Sequence, residues 1–410
     1  MKNNKLPDTR PFLQSLKCLM ICVCVFSMGH KLSQASVTED SFKKFLGKND
    51  SLLVSEISSD TNLIRIQADQ MLIPASILKL FTALVAMNAL GDDYHFHTDF
   101  FSDPYKNLKI KGYGDPLLIS EIIPEMVHQI GDQIHEINDI ILDDTYFQSP
   151  MTIPGATKKS VQPYDAPNGS LCVNFNTVFF KKDQNGAYIS AESQTPLLPF
   201  IADRIARSSL DHGRIILSDN NHEHLLYAGH IFKHFLESEV SVKGMIRQGA
   251  IDKNHDALIL RYRSPYSIQD IIEKMLHYSS NFTANQILIA AGAAKFGEPG
   301  TLAKGIQVAH SYAATHHGLS KIQFQEGSGL STLNRLSANM MSQILKEFFP
   351  YRNLLRKQGR ELYKTGTLTG VRSRVGYLQT RTGKLLSFVV ILNSNPNSME
   401  NIMKLMNHFY

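Results

Sequence analysis

Two stretches with helical periodicity, residues 76–90 and 268–318, are held apart by a long stretch of different character. Between about residues 95 and 257 the chain runs through short alternating segments (LKIKGY, INDIILDD, LCVNFNTVFF, RIILSD) broken by Gly, Pro, Asn and Asp. Alternation at a period of two suits strands, and the breakers suit turns, so this middle reads as a strand-rich module. Strands are also expected over residues 50–75, and the chain ends in a hairpin, RSRVGYLQT and LLSFVVILNS around Arg381-Thr382-Gly383-Lys384, then a closing helix, SMENIMKLMNHF. Helices on a mostly antiparallel sheet give an α+β domain, here interrupted by an insert. The divisions expected are 36–95 and 258–410 for the two parts of that domain and 96–257 for the insert.

The first 35 residues carry Lys2, Lys5, Arg10, Lys17 and Lys31 against Asp8, with an uncharged run from Cys18 to Gly29. That run is too short for a bilayer span and matches the core of an export signal; Ser33-Gln34-Ala35 supplies the small residues of a cleavage site. Cleavage after Ala35 is expected, leaving Ser36 as the first residue of an exported chain that is soluble or at most peripheral to a membrane. The whole sequence has 42 basic and 37 acidic residues, and without the first 35 the counts are 37 and 36. The basicity belongs to the signal, so no nucleic-acid partner is indicated. Cys18, Cys22 and Cys24 lie there too; Cys172 remains alone and reads as a small core residue.

Three short motifs occur in order: Ser76-Ile77-Leu78-Lys79, Ser279-Ser280-Asn281 and Lys364-Thr365-Gly366-Thr367. Spacing of i,i+3 at a helix start puts the Ser76 hydroxyl and the Lys79 amine on one face, beside backbone N–H groups suited to an oxyanion. A hydroxyl becomes a nucleophile when a base takes its proton, and a lysine does so when burial and a second cation, here Lys364, lower its proton affinity. The same residues would also serve as a plain N-cap and a solvated lysine. Ser279-Ser280-Asn281 lies between two amphipathic helices, where Ser279 can relay a proton and Asn281 can orient Lys79 and a carbonyl. Lys364-Thr365-Gly366 begins a strand at the sheet edge, where Gly366 admits a bound peptide and Lys364 with Thr365 suits a terminal carboxylate. Competing matches are weaker in context. Ser41-Phe42-Lys43-Lys44 is too near the cleavage site, Ser218-Asp219-Asn220 reads as a turn, and Ser337-Ala338-Asn339 reads as an N-cap. His222 with His224, and His316 with His317, lack partners at ligand spacing, so neither a metal nor a cofactor is expected.

In this order the motifs resemble the serine acyl-transferase site of penicillin-binding proteins and serine β-lactamases. Further blocks resemble the low-molecular-mass class C penicillin-binding proteins, the D-alanyl-D-alanine carboxypeptidase/endopeptidases of peptidase family S13. They include Gly112-Tyr113-Gly114-Asp115-Pro116, Asp143-Asp144-Thr145-Tyr146-Phe147, Tyr164-Asp165-Ala166-Pro167 and Glu326-Gly327-Ser328-Gly329-Leu330-Ser331. The resemblance implies a penicillin-recognising fold and a periplasmic enzyme acting on peptidoglycan peptides, with β-lactams as inhibitors. It makes Ser76 the acylated nucleophile, Lys79 the base, Ser279 and Asn281 proton relay and positioning groups, and Lys364 and Thr365 the carboxylate site. The backbone N–H groups of Ser76 and Thr367 would form the oxyanion hole, and Asp143 would grip a free amine of the stem peptide. Glu326 stands where the family has Asp, and a short basic segment, FFPYRNLLRKQGRELY, replaces the usual one before Lys364. A serine β-lactamase shares the acylation chemistry, but the Glu-x-x-Leu-Asn string of class A enzymes is absent; a degenerate wall-binding member of the family is the non-enzymatic alternative.

Overall fold

Strands Asp50–Glu56 and Leu385–Leu392 pair antiparallel, Leu52 opposite Val390 and Val54 opposite Phe388, so distant parts of the chain meet in one sheet. The computed structural model describes residues 39–410 except Asp60, Asp219, His317 and the side chain of Asn221. The expected export signal, its cut after Ala35, Ser36, and the middle residue of Ser218-Asp219-Asn220 therefore lie outside the described residues, as does His317. The sheet has six antiparallel strands in the order Arg356–Gln358, Glu361–Leu368, Val371–Gln379, Leu385–Leu392, Asp50–Glu56, Asn62–Ile66. Residues 67–75, expected to continue as strand, contribute only a bridge from Leu72 to Leu336.

Successive strand residues face opposite ways, which divides the apolar residues between two cores. Leu53, Val375, Val389 and Ile391 face a helical layer made of Lys79–Leu90, Asn281–Phe296, Leu302–Thr315 and Ala338–Phe348. Leu52, Val54, Phe388, Val390 and Leu392 face the closing helix Met399–Phe409, whose Met399, Ile402, Met403 and Met406 recur at helical spacing. Burying each such side chain contributes roughly 1.5–3 kcal/mol.

Two helices depart from the expected stripe pattern. Every residue from Lys79 to Met87 is buried, because that helix runs through the middle of the layer, with Phe81 edge-on to Tyr312 and Phe324. The helix Asn281–Phe296 is likewise buried from Phe282 to Ala293 rather than amphipathic. A Cβ on Gly292 would stand 2.5 Å from the Gly305 nitrogen, so two helix backbones touch there.

The middle stretch leaves and rejoins the sheet domain side by side: His95–Ser102 pairs with Ala257–Ser267, Ser102 opposite Ala257 and His95 opposite Ser267. These two strands belong to a five-stranded sheet, and a three-stranded sheet of Tyr188–Ser190, Thr177–Lys182 and His212–Ile216 lies beyond. Phe100, Ile110, Leu142, Phe180, Tyr227 and Phe232 form a core of their own. The stretch also holds helices Ile123–Gly131, Ala202–Ser208 and Asn221–Leu236, which its strand-like reading passes over. Asn220, read as part of a turn, caps the last of these by accepting from the His222 amide. Four histidines, Glu223 and Lys233 dilute that helix's apolar period.

Candidate active site

Ser76 sits in a 3₁₀ turn, Ala75–Leu78, that runs into the helix Lys79–Leu90. The α-helix starts three residues later than the sequence suggests, and no side chain caps either element, so Ser76 is not an N-cap. Ala75 holds a φ of +52°, a left-handed conformation that costs a residue with a Cβ about 1 kcal/mol or more. Packing and hydrogen bonds hold it there. Ser373 Oγ donates to the Pro74 carbonyl at 2.6 Å, and Asn393 both accepts from the Ile73 amide and donates to its carbonyl. A Cβ on Gly329 would lie 2.0 Å from the Ala75 carbonyl oxygen, and one on Gly366 would lie 2.7 Å from the Ser76 nitrogen. Only glycine lets both segments press against the Ser76 turn.

Lys79 is wholly buried rather than solvated. Its Nζ stands 2.9 Å from Ser76 Oγ, 2.8 Å from Asn281 Oδ1 and 2.7 Å from the Ser328 carbonyl oxygen. The last two can only accept. A neutral amine has two N–H bonds and one lone pair, so with both N–H bonds given to Asn281 and Ser328 the lone pair faces the Ser76 hydroxyl. Burial, then the Lys364 charge, holds the Lys79 amine well below the ordinary lysine range, with Glu326 pulling the other way. The Asn281 side chain is oriented from its other end, where Nδ2 donates to the Tyr164 carbonyl at 3.2 Å.

Ser279 and Asn281 project from the junction of two helices. Ser279 ends Ile268–Tyr278 in the left-handed conformation, with φ +55°, and Ser280 caps Asn281–Phe296 by accepting from the Thr283 amide. Ser279 Oγ accepts from Lys364 Nζ at 2.9 Å, and Lys364 also donates to the Thr365 carbonyl at 2.7 Å. Lys364 is buried, and burial followed by the Arg356 charge pushes its amine down to about 7.

Lys364 lies within its strand rather than at its start, opposite Val375, with Gly366 opposite Ser373. The outer strand Arg356–Gln358 pairs only as far as Tyr363, so the edge is open from Lys364 onward. Lys364 and Gly366 are buried while Thr365 and Thr367 are exposed, as strand alternation requires. Hydrogen bonds thus link Ser76, Lys79 and Asn281 in one group and Ser279 with Lys364 in another, and the two groups meet at the helix junction that carries Ser279 and Asn281.

Asp143 stands apart from both groups. It is 1% exposed, and its carboxylate accepts from the Thr145 amide, the Thr145 hydroxyl and the Ile251 amide. Those bonds tie a strand end to a returning loop, in a place almost closed to solvent. Sequence reasoning also passed over the carbonyl oxygens of Ser328 and Tyr164, since backbone acceptors leave no mark in residue identities. Cys172 is buried, with its thiol pushed up to about 12 by burial. Among the described residues no three His, Cys, Asp or Glu side chains group to hold a metal ion.

A Ser-x-x-Lys turn entering a buried helix, faced by Ser-x-Asn at a helix junction and Lys-Thr-Gly on an open sheet edge, defines a penicillin-recognising serine enzyme. Residues 33–213, 211–356 and 351–410 match the D-Ala-D-Ala carboxypeptidase 3 (S13) family, and the chain belongs to that family of serine-type hydrolases. It is 23% identical to a D-alanyl-D-alanine carboxypeptidase from an Actinomadura strain, over 84% of this chain and 77% of that protein. Its identity to D-alanyl-D-alanine carboxypeptidase DacB of Haemophilus influenzae is 22%, over 85% of this chain and 86% of that protein. The fold is similar to the crystal structure of penicillin-binding protein 4 from Haemophilus influenzae, with TM-score 0.72 at 18% identity over 88% of this chain and 94% of that one. A predatory peptidoglycan endopeptidase from Bdellovibrio bacteriovorus has the same fold, with TM-score 0.52 at 15% identity over 87% of this chain and 90% of that one.

Proposed function

We propose that this carboxypeptidase acts in the periplasm on peptidoglycan stem peptides through an acyl-Ser76 intermediate, and that β-lactams inhibit it by acylating the same serine. The observation that carries this reading is the set of three oxygens around Lys79, in which the Ser76 hydroxyl alone can give the amine a proton.

The terminal D-Ala carboxylate of the substrate lies along the open edge, against Lys364 and Thr365. Ser76 Oγ attacks the penultimate D-Ala carbonyl as its proton passes to Lys79 Nζ, and the oxyanion is met by the backbone N–H groups of Ser76 and Thr367. Asn281 keeps Lys79 aimed during this step. Ser279 accepts from Lys364, which leaves its own O–H free to protonate the leaving nitrogen; Lys364 resupplies that proton. The C–N bond breaks, D-Ala departs, and the acyl group stays on Ser76. The proton that Lys79 took from Ser76 passes by way of solvent to Lys364, leaving Lys79 neutral and Lys364 charged. Water then attacks the ester carbonyl with Lys79 as base, and Lys79 passes the water's proton to Ser76 Oγ as the shortened peptide leaves. An endopeptidase reaction follows the same steps when the leaving amine belongs to a neighbouring stem.

The test is D-Ala release from a pentapeptide ending in D-Ala-D-Ala, compared between the wild-type protein and Ser76→Ala. Release by the wild type that falls at least about 1,000-fold in the variant is expected. Equal release by the two proteins, or none by the wild type, contradicts the proposal.

A further inference from the structure

Glu326 has no part in the steps above, yet it is the most heavily hydrogen-bonded carboxylate near Lys79. It has no exposed surface, and among the described residues no Lys, Arg or His side chain hydrogen-bonds to it. Five neutral donors converge on it instead. Oε2 accepts from the Ser328 amide at 2.7 Å, the Ser328 hydroxyl at 2.6 Å and Asn285 Nδ2 at 3.2 Å. Oε1 accepts from the Ser331 amide at 3.2 Å and Asn334 Nδ2 at 2.8 Å. A buried carboxylate that satisfies five donors is an anion solvated by the protein.

The segment it organises reaches the reacting atoms at two points. Glu326 holds the main-chain nitrogen of Ser328, whose carbonyl oxygen accepts from Lys79 Nζ. One residue on, Gly329 presses against the turn that carries Ser76. The intervening Gly327 is fixed on both sides: its amide donates to Asn285 Oδ1 and its carbonyl accepts from Thr82 Oγ1. Four elements face Lys79. Its own turn offers Ser76, the neighbouring helix offers neutral Asn281, the edge strand brings the Lys364 cation with Arg356 behind it, and the loop brings Glu326.

We propose that Glu326 is the positioning residue of acylation: its anion fixes the Ser328 carbonyl against Lys79 and stabilises the ammonium that Lys79 becomes on taking the Ser76 proton. Burial and Lys364 both disfavour that ammonium, and among the described residues Glu326 is the acid that offsets them. The step is balanced within the site. The O–H bond of Ser76 breaks, an N–H bond forms on Lys79, and the new positive charge faces the fixed negative one. This inference rests on the reading of Ser76 as nucleophile and Lys79 as base.

The test measures the rate of covalent labelling by a penicillin across pH, together with kcat and KM for the D-Ala-D-Ala pentapeptide. Glu326→Gln keeps the length and loses the charge. The acid limb of its labelling profile should move down by about half a pH unit or more, with kcat lowered about tenfold and KM changed less than about threefold. Glu326→Asp keeps the charge, so its limb should stay at the wild-type position while the rate falls. Ser328→Ala removes one neutral donor from the carboxylate and should move the limb up, opposite to Glu326→Gln. Should Glu326→Gln fail to fold, the other two variants still decide the matter. Limbs that stay put in Glu326→Gln and Ser328→Ala, or that move together in the same direction, overturn the proposal even where stability falls. A wild-type protein that takes no label overturns the acyl-serine reading and the Glu326 role with it, whereas a labelled wild type with unmoved variants overturns the Glu326 role alone.

Discussion

After burial itself, the charge of Lys364 is the largest influence holding the Lys79 amine neutral. The two lysines are joined indirectly: Lys79 contacts Ser76 and Asn281, while Lys364 contacts Ser279, two residues before Asn281 at the same helix junction. In the proposed mechanism the Lys364 cation lets the neutral Lys79 amine act as a base, and it also offers a positive charge to an incoming carboxylate. This division of labour makes the site sensitive to pH in a way that can be measured.

The first prediction concerns that profile. Lys79 must be neutral to accept the Ser76 proton, and burial together with the Lys364 charge favours that neutral form. Lys364 must be charged to hold a carboxylate, and in the free protein it loses its proton near pH 7. The kcat/KM for a pentapeptide with a free terminal carboxylate should therefore fall above that value, by up to about tenfold per pH unit. A flat profile well into the alkaline range would contradict the role of Lys364.

Stability should carry the same signature. Lys364 releases its proton near 7 when folded and near 10.5 when unfolded, so the unfolded chain binds the extra proton between those values. The cost of burying this lysine is thus fully present below pH 7 and is relieved as pH rises toward 10.5. Relative to wild type, Lys364→Met should be more stable at low pH than at high pH, the difference changing by about 1–3 kcal/mol across the window. Denaturant melts of both proteins at several pH values measure it, and a constant difference would count against the buried-cation account.

Close approach at Gly366 gives a steric prediction. A Cβ there would meet Ser373 Oγ at 2.4 Å and the Ser76 nitrogen at 2.7 Å. Gly366→Ala should push the edge strand off the Ser76 turn and slow penicillin labelling by about 10–100-fold, with a stability loss of about 1–3 kcal/mol. Labelling at the wild-type rate would show that the strand and the turn need not touch.

Cys172 should be inert. Its thiol is buried and held near 12 by burial, so an alkylating reagent should modify it only after denaturation. Peptide mapping before and after unfolding checks this; rapid native modification would show that the insert opens around it.

Much of the site is legible in the sequence because its parts are local. Ser76 and Lys79 lie one helical turn apart, Ser279 and Asn281 flank a helix start, and the Lys364 strand precedes a readable hairpin. The sheet follows from alternation, as in Leu52, Leu53 and Val54, which divide between its two faces. What stays hidden depends on contacts between distant segments. Asp143 shows an acid beside a strand, and only the fold reveals that Ile251 and Thr145 consume it. The Ser328 carbonyl, which takes one N–H of Lys79, has no identity in sequence at all. The helix Asn221–Leu236 is missed because its histidines and charges blur the apolar period.

The most direct test of the mechanism is where a penicillin goes. Brief exposure of the protein to a penicillin, followed by digestion and mass spectrometry, should show one equivalent of acyl adduct on the peptide containing Ser76, and none in Ser76→Ala. An adduct on Ser279 or Ser328, or no covalent adduct, would contradict the assignment of Ser76 as the nucleophile.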